Sequence, residues 1–235
     1  MSDELDRARK LLAKAEATDS ADEAAALTER AMELVAKYGI DKALLNVTAD
    51  KKQTATSRII LILNPFPVGK RLLLTRIADA FNCQAIISVN GQNNNGITEM
   101  TVIGFPSDID NADFLYTTLL LHCTNESEVQ RMLGNTTRGF HTDLWKSYAR
   151  RIGERLKEIN TTVVAAYEAS SPGTALVLSD RSVEVKRLTT KLFPDLRFSK
   201  IKLTSSEGYH AGREAANRAN LGQTSRGSHN KSLTS

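Results

Sequence analysis

The 235-residue chain is poor in the residues that usually announce a chemistry. It has two cysteines, Cys83 and Cys123, and four histidines, at 122, 141, 210 and 229. Two cysteines so far apart make no disulfide framework and fit reduced thiols in a cytosolic protein. No C-x-x-C, H-x-x-x-H or H-E-x-x-H spacing occurs, so no metal site is read from the sequence. G-x-S-x-G is absent, and neither cysteine has a neighbour in sequence that would activate it. The expectation is therefore no catalytic residue, no metal and no cofactor. No apolar run approaches the ~18 residues of a membrane span. The N-terminus, MSDELDRARK, is charged and lacks the apolar stretch of a secretory signal. A cytoplasmic protein without membrane contact is expected, in the host cytoplasm if a phage encodes it.

What is present is a globular composition: 41% hydrophobic and 25% charged residues. A chain of this size buries on the order of 70% of its unfolded surface. The net charge of +4 is unevenly spread. Residues 1–50 carry seven basic and eleven acidic side chains, residues 51–207 twenty and fifteen, and residues 208–235 four and one. An acidic head on a basic body points to an anionic partner.

Hydrophobic periodicity predicts an αα-hairpin first. Leu5, Ala8, Leu12 and Ala15 share one face of a helix over 3–17. Ser20 and Glu23 read as a reciprocal capping box for a second helix, with Ala24, Leu27, Ala31, Leu34 and Val35 inward. Gly39 reads as its left-handed end, with Ile40 folding back. A polar linker spans 46–56. RIILIL, 58–63, reads as a strand, NPFPVG as a turn and KRLLLTRIADAF as a helix. Strands are expected at 83–89 and 98–105, joined by an NGQNNNG tip, and a helix at 108–122 with Ile109, Ala112, Leu115, Tyr116 and Leu119 inward. A break at 134–139 precedes a long helix, about 143–168, whose stripe is Leu144, Tyr148, Ile152, Leu156, Ile159 and Val163. Then follow a strand at 175–178, a helix at 181–193, a strand at 197–203 and a helix at 206–221. These elements make an α+β fold: a helical hairpin at 1–45, then a mixed domain at 57–221 with a small, largely antiparallel sheet packed by helices. Residues 222–235 form a flexible basic tail.

The stretch RARKLLAKAEATDSADEAAALTERAMELVAKYGI resembles an N-terminal family of unknown function common in actinobacterial and bacteriophage proteins. VIGFPSDIDNADFLYTTLL, FHTDLWKSYARRIGERL, ALVLSDRSVEVKRLTTKLFPDL and YHAGREAANRANLG are similar to the companion C-terminal domain that often follows it. The resemblance implies a phage or mobile-element setting. It carries no activity, so no residue inherits a role from it.

Candidate sites come from the residues themselves. NPFPVGKRLLLT lies where a phosphate loop would, but Asn64 replaces the first Walker glycine, Arg71 the magnesium-binding hydroxyl, and two prolines remove amide donors. Asp108, Asp110 and Asp113 belong at a helix start on dipole grounds. On the long helix, Lys146, Arg150 and Lys157 fall within about 40° of one another, opposite the apolar stripe, with Glu154 and Glu158 close by. In the last helix Gly208, Ala211, Gly212, Ala215, Ala216 and Ala219 make a smooth arc for close packing. Arg213 is on its polar side, and Arg226 and Lys231 follow in the tail. The leading expectation is a non-enzymatic nucleic-acid-associated protein contacting backbone phosphates through Lys146, Arg150, Lys157, Arg213, Arg226 and Lys231. The alternatives are a protein-contacting hairpin anchored by Tyr38, Ile40, Leu44 and Leu45, and an enzyme of a type the motifs do not reveal.

Overall fold

The computed structural model describes residues 3–18, 20–48, 53–92, 97–196, 201 and 206–219. Its element order is α1 (Asp3–Ala17), α2 (Ala21–Thr48), β1 (Thr56–Leu63), α3 (Pro67–Ala80), β2 (Gln84–Gln92), β3 (Ile97–Gly104), α4 (Pro106–Met132), α5 (Arg138–Ser170), α6 (Thr174–Leu192) and α7 (Glu207–Arg218). The fold is α+β, with one small antiparallel sheet packed by helices. The strand order is β1-β3-β2, so β3 pairs with both neighbours.

The hairpin forms at its start as the sequence predicts. Ala8, Leu12 and Ala15 of α1 and Ala31 and Val35 of α2 are buried. Only half of the capping box forms. The Glu23 amide donates to Ser20 Oγ at 3.3 Å, but the Glu23 carboxylate turns to Lys14 at 3.1 Å and the Thr18 hydroxyl at 2.9 Å. The cation of α1 outcompetes the Ser20 amide and ties the two helices together.

Gly39 does not end α2, which continues to Thr48. A Cβ at Gly39 would stand 3.3 Å from Asn111 Nδ2. The glycine admits α4 instead of turning the chain, and burial of Ile40 and Ala43 beyond it offsets its poor helix propensity of roughly 1 kcal/mol. Asn46 then clamps Gln53, donating to its carbonyl at 3.0 Å and accepting from its amide at 2.6 Å, so α2 is tied to the approach to β1.

α3 begins at Pro67, three residues before the expected start, because proline's missing N–H is harmless in a first turn. α4 runs beyond His122 to Met132. The expected strand at 175–178 is the first turn of α6. A short apolar run such as ALVL has no period that separates strand from helix. Here the Glu168 carboxylate decides, accepting from the amides of Gly173 at 2.8 Å and Ala175 at 2.7 Å and so capping α6. The strand expected at 197–203 lies outside the described residues except for Ile201, which is not in a strand. The tip at 93–96 and the tail at 222–235 also lie outside them.

The main core joins one sheet face to α3, α4 and α5, with Leu73, Leu74, Ile77, Met100, Leu115 and Tyr148 fully buried or nearly so. A smaller cluster of Ile86, Ile103, Phe105 and Val185 joins the other face to α6. α5 is the axis of the molecule. α3 crosses it with Gly69 seated on Trp145, and α7 crosses it with Gly208 on the Phe140 carbonyl and Gly212 on the Leu144 carbonyl. The smooth arc of α7 is thus the surface that lets two backbones meet. Buried Arg155 completes the joint by donating to the carbonyls of Ala216, Asn217 and Ala219 at the end of α7. Burial lowers its pKa to about 10.

Candidate functional site

With α3 on one flank of α5 and α7 on the other, the strip of α5 between them stays accessible. Lys146, Arg150 and Lys157 lie on it, as their helical spacing requires. Each cation has a different electrostatic setting. Lys146 is 3.7 Å from Asp143. Arg150 is 3.2 Å from Glu154. Lys157 is exposed and has no ion pair among the described residues. From α7, Arg213 reaches the same Glu154 at 3.4 Å, and Arg151 reaches it at 3.3 Å. One carboxylate is therefore shared by three guanidiniums, and Glu158 lies 3.8 Å from Arg151. Desolvation acts to raise the Glu154 pKa, but the hydrogen bond from Arg151 and the charges of Arg213 and Arg150 outweigh it and hold the carboxyl below its ordinary value.

The structure brings Arg150 and Arg213 together and leaves Lys146 beside its own carboxylate. Arg226 and Lys231 lie outside the described residues. Arg151 and Arg76 join the cluster although sequence spacing did not single them out. Arg76 comes from α3 and lies against Gly153, whose added Cβ would stand 2.9 Å from Arg76 Cδ. Its only ion pair among the described residues is with Asp79, at 3.9 Å. Desolvation pushes the Asp79 carboxyl above its ordinary value against the pull of Arg76. The signal for Arg76 was Gly153 itself, a glycine inside a strong helical pattern, which marks a close approach.

The strip leads into an open cleft of about 870 Å³ between α2, α3, α4, α5 and α6. Arg76, Arg150, Gly153, Glu154 and Lys157 line one end, and Ala36, Gly39, Ile40, Val164, Ala165 and Leu178 line the other. Of the four expected protein anchors, Ile40 is buried and helps wall this cleft, Tyr38 and Leu44 are half-buried, and Leu45 is 61% exposed.

Asp108, read from sequence as a helix-start residue, has a structural task. It is buried and accepts from Arg181 at 2.7 Å, while the guanidinium stacks on Phe105 at 3.6 Å. Desolvation wins over Arg181 and raises the Asp108 pKa. Arg58 pairs with Asp110 at 2.7 Å and with Asp113 at 3.7 Å. Ser127 and His141, which no motif flagged, form a buried pair at 2.8 Å. His141 Nε2 lies 2.7 Å from the Asn135 carbonyl, which can only accept, so Nε2 donates there and, in the neutral ring, Nδ1 accepts from Ser127 Oγ. Both side chains are enclosed between α4 and α5, which makes the pair a helix tie. Lys70, at the would-be phosphate loop, donates to the Leu63 carbonyl at 2.9 Å and lies 5.5 Å from the Trp145 ring centroid. Among the described residues no cluster of His, Cys, Asp and Glu is placed to hold a metal ion, and no helix is long and apolar enough to cross a membrane.

Residues 5–42 match the model of a family described as "Protein of unknown function (DUF2786)". The match covers the α1–α2 hairpin and ends before the cleft-lining parts of α3, α5 and α6 begin. No curated protein and no solved structure matches the chain.

Proposed function

We propose that the protein is a non-enzymatic, nucleic-acid-associated accessory protein that contacts backbone phosphates along the exposed strip of α5. The observation that carries this reading is the sharing of Glu154 by Arg150, Arg151 and Arg213, with Lys157 alongside and without an ion pair among the described residues. Local carboxylates do not match the cations there, so the strip keeps a positive surplus. Contacts of this kind add affinity without reading sequence and release counterions, which makes binding steeply salt-dependent. The setting implied by the family resemblance, a phage or mobile element, and a cytoplasmic location go with this reading. Anisotropy titration of the full chain with labelled single- and double-stranded oligonucleotides at ~50 mM salt tests it. Saturable binding that weakens as salt rises is expected; no binding of DNA or RNA removes the reading.

A protein contact through the end of α2 is the second reading, favoured by Leu45, which is 61% exposed. Light scattering on the full chain and on Leu45→Glu tests its self-associating form.

A further inference from the structure

The cleft at the end of the cationic strip has two chemically distinct halves, and α5 measures the distance between them. Arg150, Lys157 and Val164 recur every seven residues, so they form a row along one face of the helix. At ~1.5 Å rise per residue, Lys157 and Val164 are about 10 Å apart along the axis. Arg76 packs its stem into the space where Gly153 has no side chain, between the levels of Arg150 and Lys157, and all three cations line the cleft. At the other end, Ile40, Val164 and Leu178 form an apolar wall, and Ala36, Gly39 and Ala165 leave room before it.

Three of the four carboxylates that line the cleft are held in part by groups other than its cations. Asp108 is neutralised by Arg181 at 2.7 Å. Glu168 accepts from the Gly173 and Ala175 amides. Glu154 is shared with Arg151 and Arg213. Asp79 is the one weakly paired acid of the four, 3.9 Å from Arg76. Between the two halves lie Asn82, Asn160 and Thr161. Asn160 is fixed by donating through Nδ2 to the Ala80 carbonyl, which leaves its oxygen for another donor.

We propose that this cleft takes a nucleotide, its phosphate among Arg76, Arg150 and Lys157 and its base against the wall of Ile40, Val164 and Leu178. A pocket of this volume suits one small ligand. The charge pattern fits an anionic head and a largely apolar body, the apolar wall lying about 10 Å from Lys157 and about 16 Å from Gly153 along the helix axis. The polar middle selects the body. An alkyl chain would strip water from Asn82, Asn160 and Thr161 and return nothing, whereas ribose hydroxyls and base edges can pair with them. The inference goes beyond backbone contact, although it shares Arg150 and Lys157 with it. A free nucleotide and the unstacked end of a strand present the same chemistry to this site.

Isothermal titration of the full chain with AMP, ribose 5-phosphate and adenosine tests it. AMP is expected to bind saturably, with affinity at least ~10-fold above either fragment, because each fragment forfeits one half of the cleft. Ala165→Phe fills the room before the apolar wall at an exposed position of α5 and should weaken AMP by ~10-fold or more. Lys157→Gln should weaken AMP and ribose 5-phosphate alike and leave adenosine unchanged. Absence of saturable AMP binding at ~5 mM, or AMP affinity indifferent to both variants, overturns the proposal. Oligonucleotide binding without AMP binding would retain the backbone-contact reading and reject the nucleotide site. AMP binding without oligonucleotide binding would do the reverse, and an oligonucleotide that displaces AMP would identify a strand end as the source.

Discussion

The two flanks of α5 are built on different terms. Toward α7, contact decides: glycine backbones rest on the carbonyls of Phe140 and Leu144, and Arg155 is enclosed beneath three carbonyls. Toward the cleft, charge decides: Arg150 and Lys157 stay accessible, and Arg150 has only a share of Glu154, which Arg213 reaches from α7. Arginines appear on both flanks, so residue type does not predict the role. A guanidinium out of water and satisfied by helix-end carbonyls is a structural joint, whereas one held by a third of a carboxylate can exchange that partner for a phosphate. Stability and binding should therefore separate along a single helix.

The largest expected effect comes from breaking the contact flank. In Gly212→Val the new side chain points into the Leu144 carbonyl, and neither backbone can yield without undocking α7. A loss of about 3 kcal/mol is expected in urea denaturation. Arg155→Met leaves the carbonyls at the end of α7 without their donor and should cost about 2 kcal/mol in the same measurement. Wild-type stability in either variant would mean that the joint is not what holds α7.

The cleft flank should respond in the opposite way. Replacing Arg150, Lys157 and Arg213 together by glutamine should leave stability within about 0.5 kcal/mol, since these are surface positions. Oligonucleotide affinity should fall, and the slope of log K against log salt should shrink by roughly 2–3, close to one per lost phosphate contact. A large stability loss with unaltered binding would invert the comparison.

A smaller effect concerns pH. The folded-state pKa of Glu154 is depressed, so the unfolded chain binds more of this proton between the two values. The stabilisation from its arginine partners is present above the ordinary carboxylate range and is lost as pH falls through the lowered pKa. The difference in stability between wild type and Glu154→Gln should therefore shrink in acid. A difference that grows there would contradict the sharing of Glu154.

These two flanks also explain what could be read from the sequence. The stripe Leu144, Tyr148, Ile152 and Leu156 is legible because every fourth residue repeats one requirement, and all four are buried. The small residues of α7 are legible for the same reason, since a run of glycine and alanine on one arc has a use only against a close neighbour. Lys146, Arg150 and Lys157 could be placed on one face, but what each one faces comes from other elements. Arg213 and Arg151 meet Glu154 only once α7 has docked, and Arg76 joins only once α3 crosses at Gly153. Gly39 misleads for a related reason. After an apolar helix it has the local signature of a C-terminal cap, and only Asn111 on α4 gives it its actual use. The cleft, assembled from five helices, has no signature along the chain.

The most direct measurement is the salt dependence of oligonucleotide binding by Glu154→Gln beside wild type. Removing the shared carboxylate releases Arg150 and Arg213 and leaves Arg151 to Glu158 and Asn217, without adding a cation. If these arginines meet phosphates, the variant binds more tightly at every salt concentration and its slope steepens by roughly one. Equal or weaker binding with an unchanged slope, in a protein that remains folded, would contradict the account.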